Sequence, residues 1–219
     1  MNGWDWNVAK ELFPSLLKGF WVILEVTVLS SITCLLLGLV IAVVLRSAPK
    51  VVSAPLFAVV EFIRNTPLLV QLFFVWFGLA PLLGSTTPLV VGVIVLGIHY
   101  STYTSEVYRA GIDAVPVGQW EAITALSLPK RYGWQHVILP QALRRVTPAL
   151  GNYIISMFKE VPVLTAIGLA EMISNTQEYV ATFNTGYLEG YTIAGLIFLA
   201  VSYPTAVAMR KLEKRLAKQ

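Results

Sequence analysis

Residues 26–45 run for twenty positions without one charged side chain. Wound as an α-helix, such a run is ~30 Å long, which is the thickness of a bilayer's hydrocarbon core. That stretch constrains the fold more than any other feature, because a segment inside lipid must satisfy its backbone hydrogen bonds internally. The rest of the chain agrees. Charged residues make up 13% of its 219 positions, whereas a soluble domain carries about 25%. The expected fold is therefore an all-α, polytopic membrane protein, with residues 1–219 forming a single transmembrane domain.

Four further spans are expected. The second runs from about residue 51 to about 83, the third over 89–108, a fourth around 146–158 and a fifth over 191–209. Residues 1–13 carry Trp4, Trp6 and Phe13 among polar neighbours, a composition that suits a membrane interface. They lack the basic start of a cleavable signal peptide. Twelve of the sixteen Lys and Arg fall in three clusters: Arg46 and Lys50; Arg109, Lys130, Arg131, Arg144 and Arg145; and Arg210, Lys211, Lys214, Arg215 and Lys218. Between them lie segments poor in Lys and Arg: the N-terminus, residues 81–88 and residues 171–190. Cytoplasmic loops accumulate Lys and Arg, so the alternation predicts five transmembrane helices with the N-terminus outside and the C-terminus cytoplasmic. Gly84 and Thr86 suit a tight outer turn. The net charge of +4 follows from topology and is no sign of nucleic-acid binding.

Charges inside the spans are the candidates for function, since an ionised group at membrane depth costs ~2.5–3.5 kcal/mol and tends to face protein or water. Glu61 and Arg64 stand three apart and can pair on one helix face, just before Pro67, which would kink the span. They either hold helices together or line a solute path. Lys159 and Glu160 interrupt the fourth span. Either the helix continues past a buried pair, or a second short helix follows near the outer surface. His99 reads as a hydrogen-bonded packing residue, with a proton or ligand role as the alternative.

Residues 109–145 form a long polar, basic insert. Within it Trp120, Ile123 and Leu126 recur three apart, and Glu121, Thr124 and Ser127 mark a neighbouring face. A helix over about 118–127, from Gly118 to Ser127, is too short to be stable alone. It packs either on its own protein or into a partner's groove. The insert's spacing resembles the EAA loop of ATP-binding-cassette importer permeases: Glu121, Ala122 and Ile123, then Ser127, Val137, Leu139 and Pro140. Ile123 stands for Ala, Ser127 for Gly and Val137 for Ile. Arg64, Thr66, Pro67, Leu68, Leu69, Val70 and Gln71 resemble the second span of polar amino-acid permeases of the histidine/glutamine type. Tyr103, Glu106, Arg109 and Gly111 match a third family pattern. After Lys159 and Glu160 the family carries Thr-Ser-Leu, where this chain has Val161, Pro162 and Val163.

The resemblance implies a permease subunit of an ATP-driven importer, in a prokaryotic inner membrane, for amino acids or related zwitterionic compatible solutes. It implies partners: a cytoplasmic ATP-binding subunit dimer, a second permease copy or a paralogue, and an extracytoplasmic solute-binding protein. It places ATPase coupling on Gly118, Trp120, Glu121, Ala122, Ile123, Leu126 and Ser127. Glu61, Arg64, Lys159 and Glu160 are the substrate-path candidates. The chain itself shows no phosphate-binding Gly-x-x-x-x-Gly-Lys-Ser/Thr loop and no Gly-x-Ser-x-Gly or His-Glu-x-x-His. No catalytic residue, cofactor or metal is expected, His136 having no companion at ligand spacing. Cys34, the one cysteine, forms no intrachain disulfide. An ATP-independent channel or secondary transporter is the alternative that needs this chain alone.

Overall fold

The computed structural model describes residues 3–82, 84 and 86–216. Lys218 and part of the expected turn near Gly84 lie outside the described residues. Those described form helices and connecting turns, without strands. Helix α1 (Trp6–Ser47) starts where the Asp5 side chain accepts the amide of Asn7 as an N-cap. With 42 residues it is ~63 Å long and begins well before the charge-free run that announces it. Leu12, Leu16, Ile23, Val26 and Cys34 form its buried stripe, while Trp21, Val28, Ile32, Leu36 and Val40 stay exposed on the other side. A helix apolar all round belongs in a protein core or in lipid.

The expected second span is a broken one. Helix α2 (Lys50–Arg64) ends at Asn65, and α3 (Leu68–Phe73) leaves at 105° to it, continuing through a π-helical turn (Phe74–Leu79) and a 3-10 turn (Ala80–Leu82). Pro67 does more than kink the chain. It removes an N–H, and it pushes the preceding residue out of the helical region.

Helix α4 (Pro88–Asp113) is capped by Thr87 and sits at the centre, with 61% of its apolar window buried. Its close partner is α1. A Cβ on Gly38 of α1 would stand 2.1 Å from Thr104 Oγ1, and one on Gly97 of α4 would stand 2.6 Å from Thr33 Cγ2. Small residues let two membrane helices approach until their backbones nearly touch.

Next comes a compact insert: α5 (Val117–Ala125), α6 (Lys130–Gly133) and a π-helical turn (Trp134–Ile138) leading into α7 (Leu139–Glu160). Pro140, lacking an N–H, cannot bond the carbonyl four residues back, and the Leu139 amide reaches Trp134 instead. Of the two alternatives for the region after Glu160, an uninterrupted helix past a buried Lys159–Glu160 pair is not the one observed. A 3-10 turn (Val161–Ile167) ends at Gly168, whose φ of 85° glycine adopts without steric cost, and a new helix, α8 (Met172–Phe183), follows. Within the polar segment 171–190, Met172, Thr176 and Val180, four residues apart, are the buried side of α8, and the Glu171 carboxylate caps it by accepting the amides of Ile173 and Ser174. Helix α9 (Tyr187–Leu216) begins before the expected span and continues into the basic tail as far as Leu216; only 6% of its apolar window is buried, so it lies at the periphery.

By length and composition three helices, α1, α4 and α9, can cross a membrane, or up to five segments if each of the two bent pairs counts as one span. The main apolar core joins α1, α3, α4, α7, α8 and α9 through residues such as Leu16, Ile23, Leu72, Leu96, Met157, Leu164, Met172 and Ala194.

Candidate functional site

Two places in the molecule gather polar chemistry. The first lies inside the helical body, at the α2–α3 break. Pro67 has no N–H to offer Ile63 O, which keeps only the Thr66 amide at 3.2 Å, and the Val70 amide turns to Pro67 O instead of Thr66 O. The side chain of Gln71, one turn into α3, serves both carbonyls: its Nε2 donates to Ile63 O at 2.7 Å and to Thr66 O at 2.8 Å. Its Oε1 lies 3.2 Å from His99 Nδ1 on α4. The Tyr103 hydroxyl donates to the carbonyl of Arg64 at 3.2 Å, a second tie between the break and α4. Glu61 and Arg64 form the expected ion pair on one helix face, both partly buried, and Asn65 Nδ2 also donates to Glu61 Oε2 at 3.3 Å.

Around this break stands a set of rings. His99 and Tyr103 have centroids 5.3 Å apart, Tyr100 and Tyr103 6.2 Å, Tyr100 and Tyr153 of α7 6.2 Å, and Tyr103 and Tyr153 5.7 Å. Glu160, the last residue of α7, is the carboxylate whose field reaches His99, Tyr100 and Tyr103, and Tyr103 also lies in the field of Arg64. The structure thus brings Arg64 and Glu160 to one aromatic cluster. It separates Lys159 from Glu160. Neighbours on a helix point ~100° apart; Lys159 is exposed, Glu160 half-buried, and no ion pair joins them among the described residues.

Gln71, Tyr100, Tyr103 and Tyr153 were not singled out as site residues from sequence. Tyr100 and Tyr103 sit three apart beside His99 on α4, a polar-aromatic face inside a span, and that was the legible signal. Tyr153 joins them only through the packing of α7.

The second place is the insert after α4. Trp120 and Ile123 turn inward: Trp120 meets Trp134 edge to face at 5.2 Å, and Ile123 lies where a Cβ on Gly133 would be. With Ile112, Val115, Ile138 and Ala142 they form a small core of their own. Leu126 is not part of that face. The helix stops at Ala125 and Ser127 turns left-handed at φ 51°, with Ser127 N–H bonding Thr124 O and Leu128 N–H bonding Ile123 O. These two bonds make a Schellman C-terminus, followed at once by Pro129. The turn that glycine would ease is therefore made with serine. Gly118, Glu121, Ala122, Leu126 and Ser127 are exposed, and the apolar Val117 and Leu126 are each 70% exposed.

The insert is tied back to the spans. Arg46, at the end of α1, pairs with Asp113, at the end of α4, and its guanidinium lies 6.0 Å from the Trp120 ring centroid. Gln141 Nε2 of α7 donates to Gln119 Oε1 at 3.2 Å. A displacement of α5 is thus felt directly by α1, α4 and α7. Neither place holds a group of three or more His, Cys, Asp or Glu suited to a metal among the described residues.

Comparison with known proteins fits this geometry. Residues 34–218 match the family described as binding-protein-dependent transport system inner membrane component. A probable amino-acid ABC transporter permease protein of Sinorhizobium fredii is 40% identical over all of this chain and 97% of its own length. The arginine transport system permease protein of Bacillus subtilis is 34% identical over 97% of each. The crystal structure of an amino acid ABC transporter with histidines superposes with a TM-score of 0.89 at 31% identity, covering 98% of this chain and all of that one. An inward-facing methionine ABC transporter shares the fold, with a TM-score of 0.77 at 17% identity, over 92% of this chain and 96% of its own.

Proposed function

The chain belongs to the family of binding-protein-dependent transport system inner membrane components, and from that premise we propose that it is the membrane-spanning subunit of an ATP-driven importer of amino acids or related zwitterionic solutes. It works with a separate cytoplasmic ATPase dimer, a second permease copy or paralogue, and an extracytoplasmic solute-binding protein. Five spans, the two bent pairs counted as one each, with the N-terminus outside, put the insert and the basic end of α9 in the cytoplasm.

The observation that carries the reading is the division of α5 into two faces. Trp120 and Ile123 anchor it to its own protein, while Val117 and Leu126 remain 70% exposed beside Glu121 and Ala122. Exposed apolar side chains at the tip of a basic loop mark a docking surface. When ATP closes the ATPase dimer, α5 moves with it. Arg46, Asp113 and Gln141 pass the motion to α1, α4 and α7, and the spans tilt so that the interior opens outward. Nucleotide acts as a ligand with different affinities for two states and shifts their populations. Glu160, Arg64 and the tyrosine cluster line the path; Lys159 is a second cation at its edge.

Mild-detergent affinity purification of the tagged chain from native membranes tests this. A stoichiometric ATPase is expected, with or without a second permease-like chain, and liposomes containing that complex take up amino acid only with ATP and loaded binding protein. A chain that purifies alone and transports without ATP is a channel or secondary transporter instead.

A further inference from the structure

We propose that Gln71 holds His99 as the Nδ1–H tautomer, so that His99 Nε2 is a lone-pair acceptor that selects the cationic N–H end of the transported solute. The proposal rests on the import reading and deepens it.

The orientation of the Gln71 amide is decided by its neighbours. One end lies 2.7 and 2.8 Å from two carbonyl oxygens, Ile63 O and Thr66 O. Oxygen cannot occupy that end, because two acceptors at such distances repel; it is the NH2 group, and both its protons are committed. The other end, Oε1, can only accept. His99 Nδ1, 3.2 Å away, must therefore donate. A neutral imidazole has one N–H, so the proton on Nδ1 leaves the lone pair on Nε2. Nε2 has no hydrogen-bond partner among the described residues. It is also absent from their sealed, unpartnered polar atoms, which are Trp4 Nε1, Ser30 Oγ and Arg109 Nε.

The surroundings favour a cation. The ring centroids of Tyr100 and Tyr103 stand 5.6 and 5.3 Å from that of the imidazole, and Glu160 acts on all three. The nearby cation, Arg64, is paired with Glu61, and the Tyr103 hydroxyl is committed to Arg64 O. The Nε2 lone pair, the Glu160 carboxylate and the aromatic rings suit an ammonium or guanidinium.

Two measurements test it. The chain contains only two histidines, His99 and His136, so the full chain labelled with 15N-histidine, purified through a histidine-free tag into nanodiscs, gives two imidazole systems that a His136→Gln variant assigns. At about pH 8, where histidine is ordinarily neutral, we expect a protonated Nδ1 and an unprotonated Nε2 at His99, and loss of that preference in Gln71→Leu. An Nε2–H tautomer in the parent overturns the proposal. The second measurement is ATP-driven uptake of labelled L-arginine and L-glutamate by the reconstituted complex at saturating binding protein. His99→Asn keeps a donor for Gln71 but lacks the second nitrogen, and should cut L-arginine uptake about tenfold, ~1.4 kcal/mol. His99→Gln, whose amide reaches the Nε2 position, should restore part of it. Parent-like L-arginine uptake by His99→Asn, or a parent that prefers L-glutamate, overturns the role in selection. A parent complex with no ATP-driven uptake of any amino acid defeats the import reading, and with it the selection; the tautomer experiment still decides the Gln71 assignment.

Discussion

Replacing Gly38 by Ala should separate the two helices on which the molecule is built. The new Cβ would stand 2.1 Å from Thr104 Oγ1 and 3.1 Å from Ser101 O, the first roughly 1.3 Å short of the 3.4 Å at which ordinary contact begins. Either α1 moves away from α4, or Thr104 changes rotamer and its hydroxyl leaves Cys34 O, 3.0 Å away on α1. Overpacking of this kind costs ~1–3 kcal/mol, and a lost hydrogen bond adds ~0.5–1.5 kcal/mol. The expected total is ~2–4 kcal/mol, or roughly 5–15 °C in Tm for a chain of this size. Fluorescence-detected size-exclusion melting in detergent reads it. Thr104→Ala removes the clashing oxygen and leaves the Thr104 Cβ at 3.1 Å. The double variant should therefore be more stable than the Gly38→Ala single variant, with a coupling of at least ~1 kcal/mol. A Gly38→Ala protein that melts within about 2 °C of the parent, or a double variant no better than the single, would refute the close crossing as the source of the cost.

Ser127→Gly should stabilise the insert by about 0.5 kcal/mol, the left-handed cost of an L-residue less glycine's greater entropy in the unfolded chain. Ser127→Val should destabilise it by ~1–2 kcal/mol, read as faster tryptic cleavage after Lys130 and Arg131. Glu121→Arg inverts the charge on the exposed face of α5 without touching Trp120 or Ile123. It should reduce ATPase association and transport together while the melting temperature of the isolated chain stays within 2 °C, about 0.5–1 kcal/mol for a chain this long; intact transport would remove α5 from the coupling role. Glu160→Ala should lower uptake more than complex assembly, and equal loss of both would assign Glu160 to structure alone.

What could be read from the sequence follows the range of each interaction. The run 26–45 was legible because exclusion of charge is a local property. The Glu61–Arg64 pair was legible because three residues is one helix turn. Helix α8 was not, since residues 171–190 were weighed by their lack of Lys and Arg; its inward residues Met172, Thr176 and Val180 keep a helical spacing that a charge-based reading passes over. The first turns of α1 were missed for a related reason: residues 1–13 read as an interface segment, yet from Trp6 on they ride on a helix continuous with the span. In the insert, three-residue spacing put Trp120, Ile123 and Leu126 on one face, but the Schellman end divides them. Proximity in sequence also joined Lys159 to Glu160, where helical geometry sends them apart. The aromatic cluster was out of reach, because Tyr153 comes 50 positions after Tyr103 and meets it only once α7 is docked.

The hydroxyl-rich faces of α1 and α4 also bear on how the protein is made. Thr27 donates to Ile23 O and Thr33 to Leu29 O, within α1; Ser101, Thr102 and Ser105 donate to Ile98, His99 and Thr102 carbonyls, within α4. These five hydroxyls are therefore satisfied within their own helix before the two helices meet, whereas Ser31 reaches Met157 of α7. During synthesis α1 emerges about 80 residues ahead of α4. It can wait in the bilayer with Thr27 and Thr33 already satisfied, until Gly97 of the later helix arrives to fit against it.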